Sequence, residues 1–308
     1  MFLLLGPTAS GKSELAVEAA SRCDAEIVGA DAFQVYRGLD LLTAKPDASL
    51  LGKVPHHLIG EIPLGEKFDV AQYLALARER IRGIRRRGRR ALVAGGTGLY
   101  VRALTHGLSD LPDASPELRR ELEASSLAEL QRQYAALDPA GFERIDRANP
   151  RRLIRAIEVS LLAGAPFSSL RDDWSGRLSA PDPCAGILLE RDPGELRARI
   201  DERVRLMFAR GVVEEVRAAG EAGPTASQAI GYPDIRSLLR GEITEADCIA
   251  AIQLKTRQYA KRQLTWLRRD HRFERINLTG KPQNEVAELI ARRIMDTSLD
   301  AGAGEPNR

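Results

Sequence analysis

The phosphate-binding motif near the start of the chain limits its fold more than any other feature. Residues 6–13 read Gly-Pro-Thr-Ala-Ser-Gly-Lys-Ser and match the pattern G-x-x-x-x-G-K-[ST] at every fixed position. The apolar run 2–5 precedes this motif, and residues 12–23 follow it with a helical pattern. A glycine loop between a strand and a helix directs backbone N–H groups at a phosphate. We therefore predict a P-loop, in which Lys12 reaches the outer phosphate and Ser13 binds Mg²⁺.

The first hundred or so residues alternate between strand and helix patterns, which is typical of a parallel α/β sheet. Strands are predicted at 2–5, 26–29 and 91–94, and helices at 12–23 and 68–87. Ligands of open parallel sheets bind beyond the carboxyl ends of the strands. Asp31 and Thr97, which follow the second and third strands, should therefore lie on the same edge as the P-loop. There Asp31 is a candidate general base or magnesium-binding group, with an ordinary capping aspartate as the alternative.

From about residue 111 to 181 the pattern changes to helices alone. In this stretch we predict helices at 117–136, 139–146 and 150–163, followed by a turn-rich stretch at 166–183. After it we predict a strand at 186–189 and helices at 193–219 and 244–268, with a Gly-Tyr-Pro loop at 231–233 between them. A strand at 273–278 and a helix at 284–295 complete the predicted elements. A helical block between strands indicates an insertion. We predict an α/β, P-loop NTPase-like parallel-sheet core formed by 1–110 and 182–295, an all-helical insertion at 111–181, and a disordered tail at 296–308.

Composition argues against several classes of protein. With 308 residues, 44% of them hydrophobic, the chain is large enough to bury a substantial core. No apolar run approaches the ~18 residues of a membrane span, so we expect no membrane segment, and the apolar start should be a strand and not a signal peptide. Cys23, Cys184 and Cys248 have neither CxxC nor zinc-site spacing, and free thiols favour the reducing cytoplasm.

The formal net charge of +3 conceals three local clusters of basic residues. The cluster at 80–90 is interpreted as a solvated helix end. The second cluster starts the helix predicted at 150–163, where three arginines fall near one face. The third, at 257–275, holds seven basic and two acidic side chains with interleaved aromatic residues. That mixture suits a nucleic acid with unstacked bases, although a solvated helix face is the alternative for both clusters.

A series of further segments follows the P-loop in order along nearly the whole chain. They are Asp31 with 34–40 (Gln-Val-Tyr-Arg-Gly-Leu-Asp), 43–46 (Thr-Ala-Lys-Pro), 55–58 (Pro-His-His-Leu), 95–100 (Gly-Gly-Thr-Gly-Leu-Tyr), 149–152 (Asn-Pro-Arg-Arg), Gly231-Tyr232 and 256–266 (Thr-Arg-Gln-Tyr-Ala-Lys-Arg-Gln-Leu-Thr-Trp). With these segments the chain resembles the bacterial tRNA dimethylallyltransferases, also called tRNA isopentenyltransferases. The P-loop alone is shared by very many proteins, whereas 43–46, 95–100 and 261–266 together are specific to this family.

The resemblance implies an activity and a set of site residues. The family transfers the dimethylallyl group of dimethylallyl diphosphate to N6 of the adenosine 3′ of the anticodon, in tRNAs that read codons starting with U, and releases diphosphate. Asp31 is then the catalytic base and Thr97 orients the amine. The diphosphate contacts are Gly6, Pro7, Thr8, Ala9, Ser10, Gly11, Lys12, Ser13 and Arg199. The implied cofactor is Mg²⁺, held by Ser13.

The resemblance also implies tRNA as the partner, with the helical insertion clasping the anticodon stem-loop. The tRNA contacts it implies are Asp31, Ala32, Phe33, Gln34, Thr97, Arg119, Arg151, Arg152, Leu153, Ile154, Arg155, Gln228, Ala229, Ile230, Gly231, Tyr232, Pro233, Arg257, Lys261 and Arg262. We expect a cytoplasmic monomer. The sequence lacks the Cys/His zinc-finger pattern of eukaryotic relatives, which favours the bacterial type.

Two positions depart from the usual family pattern, and three other functions stay open. Ala32 stands where the family commonly has Ser, and Leu42 stands where it usually has Gly. The alternatives are a prenyltransferase acting on free adenylate, a P-loop metabolite kinase using ATP, and a non-catalytic RNA-binding protein. The insertion and the basic stretch at 257–275 argue against the first two, and Asp31 with Thr97 beside the P-loop argues against the third.

Overall fold

The computed structural model describes residues 1–108, 111–171 and 185–297. The chain forms two compact units, one of Met1–Thr105 with Asp182–Arg308 and the other of His106–Pro181. The sequence placed the first boundary at 110/111 and the second at 181/182. Residues 298–308 of the tail predicted at 296–308, residues 172–183 of the predicted turn-rich stretch, and Cys184 lie outside the described residues.

A parallel sheet forms the centre of the larger unit. Its strands are β1 (Phe2–Leu5), β2 (Ala25–Ala30), β3 (His56–His57), β4 (Arg90–Gly95), β5 (Ala185–Glu190) and β6 (Glu274–Asn277), in the spatial order β3-β2-β4-β1-β5-β6. Every strand pair is parallel. β1 is buried along its whole length, as expected of a central strand covered on both faces. The predicted α/β fold class is thereby confirmed.

Fourteen α-helices complete the described part of the chain. They are α1 (Lys12–Arg22), α2 (Ala48–Leu51), α3 (Val70–Arg86), α4 (Gly98–His106), α5 (Pro116–Glu123), α6 (Leu127–Leu137), α7 (Pro139–Phe142), α8 (Pro150–Ala163), α9 (Phe167–Arg171), α10 (Pro193–Ala209), α11 (Val212–Ala219), α12 (Tyr232–Leu239), α13 (Glu245–Leu267) and α14 (Gln283–Asp296). Within those residues, no helix combines the length and apolar character needed to cross a bilayer.

The alternation of side chains along β1 divides the sheet between two sets of packing partners. Phe2 and Leu4 belong to the core cluster that α1 and α14 form on the sheet, with Leu15 and Ile290 among its fully buried members. Leu3 and Leu5 point to the other face because successive strand residues alternate. Helix α3 packs on β2 and β4. Because these strands pair in parallel, the carboxyl ends of β1, β2, β4 and β5 lie at one edge.

Three predicted helical segments are shorter or more broken than expected. The helix predicted at 193–219 is two helices, because Gly211 adopts a left-handed φ of 90° between them. The helix predicted at 117–136 is also two, because Ser126 and Glu129 form a capping box that starts α6 afresh. The helix predicted at 139–146 ends at Phe142.

The Gly-Tyr-Pro segment predicted as a loop is instead the start of α12. Gly231 precedes the helix with a φ of 93°, and Pro233 lies in its first turn, where the missing N–H costs nothing. A 3-10 turn at Ala226–Gln228 leads into it. The prediction was wrong because glycine and proline were taken as signs of a loop, whereas here they stand at the start of a helix.

The smaller unit has its own apolar core, in which Leu122, Leu130, Tyr134, Leu153 and Ile157 are buried. Leu153 is 0% exposed and Ile154 7% exposed, so these side chains pack in the core, although the implied list places them against tRNA. The reason is the helical period, which turns these two positions inward directly after exposed Arg151 and Arg152.

A buried carboxylate organises the basic side of this smaller unit. Glu158 is 0% exposed and accepts hydrogen bonds from Arg119 at 2.5 Å and from Arg155 at 2.9 Å. Arg155 also donates to the carbonyl oxygen of Pro112 at 3.0 Å. Arg119 and Arg155 therefore have a structural task, since a buried carboxylate without partners is strongly destabilising.

Candidate active site

The P-loop follows β1 and is held by two arginines from outside it. Ala9 and Gly11 have left-handed φ values of 63° and 89°, which turn the chain into α1. Arg191 Nε donates to the carbonyl oxygen of Ser10 at 2.7 Å, and Arg199 Nε donates to that of Ala9 at 2.9 Å. These bonds hold the loop in the conformation that leads into α1, and the N-terminus of that helix is a favourable site for a phosphate.

Both arginines also bring charge to the loop. Their Nη2 atoms lie 3.4 and 3.6 Å from the position that a Cβ on Gly11 would occupy. Arg199 is exposed, whereas Arg191 is mostly buried and pairs with Glu195. Ser10 adds a buried Oγ without a hydrogen-bond partner in the described structure. The two arginines and the unpaired hydroxyl suit the binding of an anionic ligand.

Two further cations belong to this region, Lys12 at the start of α1 and Arg203 on α10. Burial lowers the pKa of Lys12, and Asp31 opposes that effect. Burial likewise lowers the pKa of Arg203, again opposed by Asp31. Arg203 Nε is buried and has no hydrogen-bond partner among the described residues. A buried cation with unused donors is what a diphosphate would satisfy.

Asp31 stands directly after β2 and holds a tight turn with one carboxylate oxygen. Oδ1 accepts from the N–H of Phe33 at 2.9 Å and from that of Gln34 at 3.3 Å. In the described part of the chain Oδ2 receives no hydrogen bond. One oxygen therefore orients the carboxylate while the other is available to accept a proton.

Thr97 lies beside Asp31 because β4 neighbours β2 in the sheet. Its N–H donates to the carbonyl oxygen of Ala30 at 3.2 Å, and its Oγ1 accepts from the N–H of Ala32 at 3.1 Å. The donor at Ala32 is its backbone, so replacing the family's usual serine there leaves this bond intact. Burial raises the pKa of nearby Tyr259, and the Thr97 and Gln263 side chains oppose this rise. The expectation that Asp31, Thr97 and the P-loop share one edge is confirmed.

A pocket at this edge is lined by polar side chains and by a group of apolar ones, called here the apolar wall. The polar lining comes from Thr8, Asp31, Thr43, Arg203, Thr256 and Tyr259. The apolar wall comes from Leu42, Val204, Met207, Ala229, Ile230 and Ile252. Leu42, the second departure from the family pattern, is buried here, and a Cβ on Gly231 would lie 3.0 Å from its Cδ1. The pocket is therefore suited to a molecule with a charged group and a short apolar group.

Several residues in the implied tRNA list have other structural tasks. Gln34 Nε2 donates to the carbonyl oxygens of Thr43 and Ala44, which shapes the Thr-Ala-Lys-Pro segment. Tyr232 is buried, and its hydroxyl donates to Gly220 O at 2.7 Å and accepts from Ala222 N–H at 2.9 Å. Its side chain is thus committed to the fold, contrary to the implied tRNA contact, because both bonding directions of its hydroxyl are used.

The remaining members of the list are placed as follows. Ala229 is buried, Phe33, Ala229 and Ile230 line the pocket, and Gln228 and Pro233 are exposed. Arg257 pairs with Asp201 at 2.5 Å. Lys261 and Arg262 are exposed, and the Arg262 guanidinium lies 5.9 Å from the ring centroid of Tyr259. Exposed basic side chains on α13 are thus available to a nucleic acid, whereas Arg257 is engaged within the unit.

The sequence reasoning missed Arg191, Arg203 and the interior role of Gln263. A signal existed for Arg203, because it lies four residues after Arg199 on a helix and so shares its face. Arg191 gave no comparable signal, and Gln263, although it lies in the family-specific segment 261–266, gave no indication of which groups it contacts. Their contacts join segments that are 181 and 255 residues apart in the chain.

The residues present fit a magnesium ion that is coordinated mainly by the phosphate oxygens of a bound substrate and by water. No group of three or more His, Cys, Asp or Glu side chains suited to a metal occurs in 1–108, 111–171 or 185–297. Magnesium typically takes one or two protein ligands and completes its coordination with substrate phosphates and water. Ser13, partly buried in the first turn of α1, is the matching hydroxyl.

Comparison with known proteins agrees with this geometry. The family model described as IPP transferase matches residues 34–270. A tRNA dimethylallyltransferase of Anaeromyxobacter dehalogenans is 45% identical over 96% of this chain and 98% of its own, and one of Akkermansia muciniphila is 40% identical over 95% and 97%. The crystal structure of a tRNA isopentenylpyrophosphate transferase from Staphylococcus epidermidis is 30% identical, covers 96% of this chain and 99% of its own, and superposes with a TM-score of 0.69. The chain therefore belongs to the IPP transferase family, the family of the tRNA dimethylallyltransferases.

Proposed function

We propose that this protein transfers the dimethylallyl group of dimethylallyl diphosphate to N6 of the adenosine 3′ of the anticodon, in tRNAs that read codons starting with U. Its family relatives bear the name tRNA dimethylallyltransferase. The observation that carries the proposal is one pocket at the P-loop edge, where Asp31 and Arg203 meet an apolar wall. An enzyme that transfers a five-carbon group from a diphosphate needs each of these parts.

The P-loop side of the pocket stabilises the leaving group. As the C–O bond to the diphosphate breaks, negative charge grows on the departing oxygen. Lys12, Arg199 and Arg203 are the cations placed to neutralise it. Mg²⁺ held through Ser13 would add Lewis-acid stabilisation of the same charge. Diphosphate is the product of this half of the reaction.

The Asp31 side of the pocket acts on the nucleophile. The N6 amine of adenine is weakly nucleophilic because its lone pair is delocalised into the ring. As the new N–C bond forms, the amine loses a proton, and Oδ2 of Asp31 is the acceptor available for it. The Thr97 hydroxyl, whose oxygen accepts from the N–H of Ala32, orients the amine. The target base must leave its stack to reach the pocket.

The apolar wall favours a prenyltransferase over a metabolite kinase. A kinase transfers a phosphoryl group to a polar acceptor. Its site needs few apolar side chains other than those that contact the nucleotide base. Here Val204, Met207 and Ile252 lie on the same pocket as Asp31. Such a wall favours a prenyl group beside the diphosphate.

The direct test is incubation of the purified protein with Mg²⁺, radiolabelled dimethylallyl diphosphate and one of three acceptors. These are unmodified tRNA, the same tRNA with guanosine in place of the adenosine 3′ of the anticodon, and free AMP. We expect label only in the unaltered tRNA. Label in AMP alone would support the adenylate prenyltransferase, and label in neither, with ATP turnover, would support the kinase.

Arg152, which is exposed at the start of α8, tests the tRNA side of the proposal. We expect Arg152→Glu to weaken tRNA binding and to reduce the slope of log affinity against log salt by about 1, because one phosphate contact is lost. Filter binding across a salt series measures both. Arg292→Glu on α14, also exposed and ion-paired with Glu288, serves as control.

Arg155 is unsuitable for the same test. Its reversal to Glu would set a second carboxylate against buried Glu158, so a loss of binding could follow from a loss of folding. If Arg152→Glu leaves both affinity and salt slope unchanged, the basic start of α8 is a solvated face and the implied contact is wrong.

A further inference from the structure

Gln263 is buried between the two loops that the proposed reaction uses. It lies on α13 and is 4% exposed. Its Oε1 accepts from the N–H of Thr8 at 2.9 Å, and its Nε2 donates to the carbonyl oxygen of Gly96 at 3.0 Å. Thr8 belongs to the P-loop, and Gly96 immediately precedes Thr97. A single side-chain amide therefore ties the two loops together.

The chemistry at this position requires an amide. Thr8 offers a donor and Gly96 an acceptor, and among unbranched side chains of this length only glutamine presents both partners at its tip. An apolar replacement would leave both backbone groups unpaired in a buried site. The contact also explains Gly96, because a Cβ there would clash with Gln263 Nε2 and would lie 2.6 Å from Gly6 O.

The bridge continues toward the base. Gly96 leads directly to Thr97, whose Oγ1 accepts from the N–H of Ala32, the residue after Asp31. Tyr259 precedes Gln263 by one helical turn and lies near both Gln263 and Thr97. The P-loop is thus connected through Gln263, Gly96 and Thr97 to the loop that carries Asp31.

We propose that Gln263 is a positioning residue, which sets the distance between the P-loop and the Thr97–Asp31 pair. The inference rests on the proposed function, because it assigns the two loops to the diphosphate and the amine. Group transfer needs both reactants aligned, and a misplacement of about 1 Å costs about 100-fold in rate. The competing role is simple anchoring of α13 to the sheet.

Gln263→Met, compared with Gln253→Met, distinguishes positioning from anchoring. Gln253 is on the same helix, partly buried, and donates to Asp201 O at 3.1 Å away from both loops. We expect Gln263→Met to lower kcat for dimethylallyl transfer about 100-fold, with KM for tRNA within twofold of wild type. Its affinity for inorganic diphosphate, measured by calorimetry, should fall at least threefold. Gln253→Met should lower Tm comparably and leave kcat and diphosphate affinity unchanged.

Gln263→Glu provides a second variant if the methionine does not fold. It keeps the acceptor for Thr8 and removes the donor to Gly96, so we expect kcat to fall at least tenfold. If the wild type is active and both variants have a kcat within twofold of it, the inference is overturned and the proposed function stands. A wild type inactive on tRNA would overturn the proposed function. In that case unchanged diphosphate binding by Gln263→Met would overturn this inference as well.

Discussion

Asp31→Asn is expected to lower kcat for dimethylallyl transfer by about 10³- to 10⁴-fold while tRNA affinity changes less than twofold. Asparagine keeps an oxygen for the N–H groups of Phe33 and Gln34, so the turn survives. It removes the basic oxygen that takes the proton from the amine. Single-turnover kinetics with saturating donor, together with filter binding of tRNA, measure the two quantities separately.

A matched aspartate is available as a control for Asp31. Asp47 also uses its carboxylate to hold a turn, accepting from Leu50 N–H at 3.0 Å at the start of α2. We expect Asp47→Asn to leave kcat unchanged. Asp31→Ala should be as inactive as Asp31→Asn and should also lose stability, because the turn loses its acceptor. Wild-type turnover by Asp31→Asn would remove Asp31 from the mechanism and make its carboxylate a capping group.

Lys12→Met is expected to reduce kcat/KM for dimethylallyl diphosphate by about 10²- to 10³-fold, the usual cost of losing one charge-stabilising donor. KM for tRNA should stay within twofold, since Lys12 acts on the donor's diphosphate. Steady-state kinetics with each substrate varied in turn measure this separation. Lys53→Met, an exposed lysine after α2, is the control and should behave as wild type.

The pH dependence of diphosphate binding tests the same assignment. Burial lowers the pKa of Lys12, so its ammonium loses the proton at a lower pH than an ordinary lysine. Diphosphate prefers the charged form, and its affinity should therefore fall as pH rises through that lowered pKa. In Lys12→Met this fall should disappear. An identical pH profile in both proteins would assign the diphosphate to other cations.

The structure also explains why losses at Lys12 should be large yet incomplete. Arg199 and Arg203 lie on one face of α10, and Arg191 holds the loop from the end of β5. Arginine stays charged over the whole working pH range, so these side chains keep part of the site's positive charge when Lys12 is neutral or absent. The donor site therefore combines one titrating cation with several fixed ones.

Local sequence patterns were sufficient to identify the core of this fold and to place Asp31 and Thr97 at the P-loop edge of the sheet. The apolar run before the P-loop and the helical pattern after it predicted β1 and α1 within one residue of their ends. Pro150 and the apolar period after it gave α8 with both ends correct. Asp31 and Thr97 were found because parallel strands place their carboxyl ends together, which requires only strand order along the chain.

Local patterns failed where a neighbour in space decides the outcome. Gly231 and Pro233 were taken for a loop, yet α12 begins there, at a position where Leu42 and Ile252 leave little room for a side chain on residue 231. Leu153 and Ile154 were grouped with the arginines beside them, although the core of the smaller unit buries both. In each case the sequence shows the residue type and the fold supplies its surroundings.

The amino-acid sequence by itself determined the α/β class, the P-loop motif, and the placement of Asp31 and Thr97 at the P-loop edge, because each depends on spacing within a few residues or on strand order. Only the tertiary structure decided which cations reach the P-loop and which side chain joins the P-loop to the loop that carries Gly96 and Thr97. Arg191, Arg203 and Gln263 act across most of the chain's length, with Gln263 meeting Thr8 across 255 residues. Contacts of that separation arise from packing α10 and α13 onto the sheet edge, and no periodicity in a single sequence encodes them.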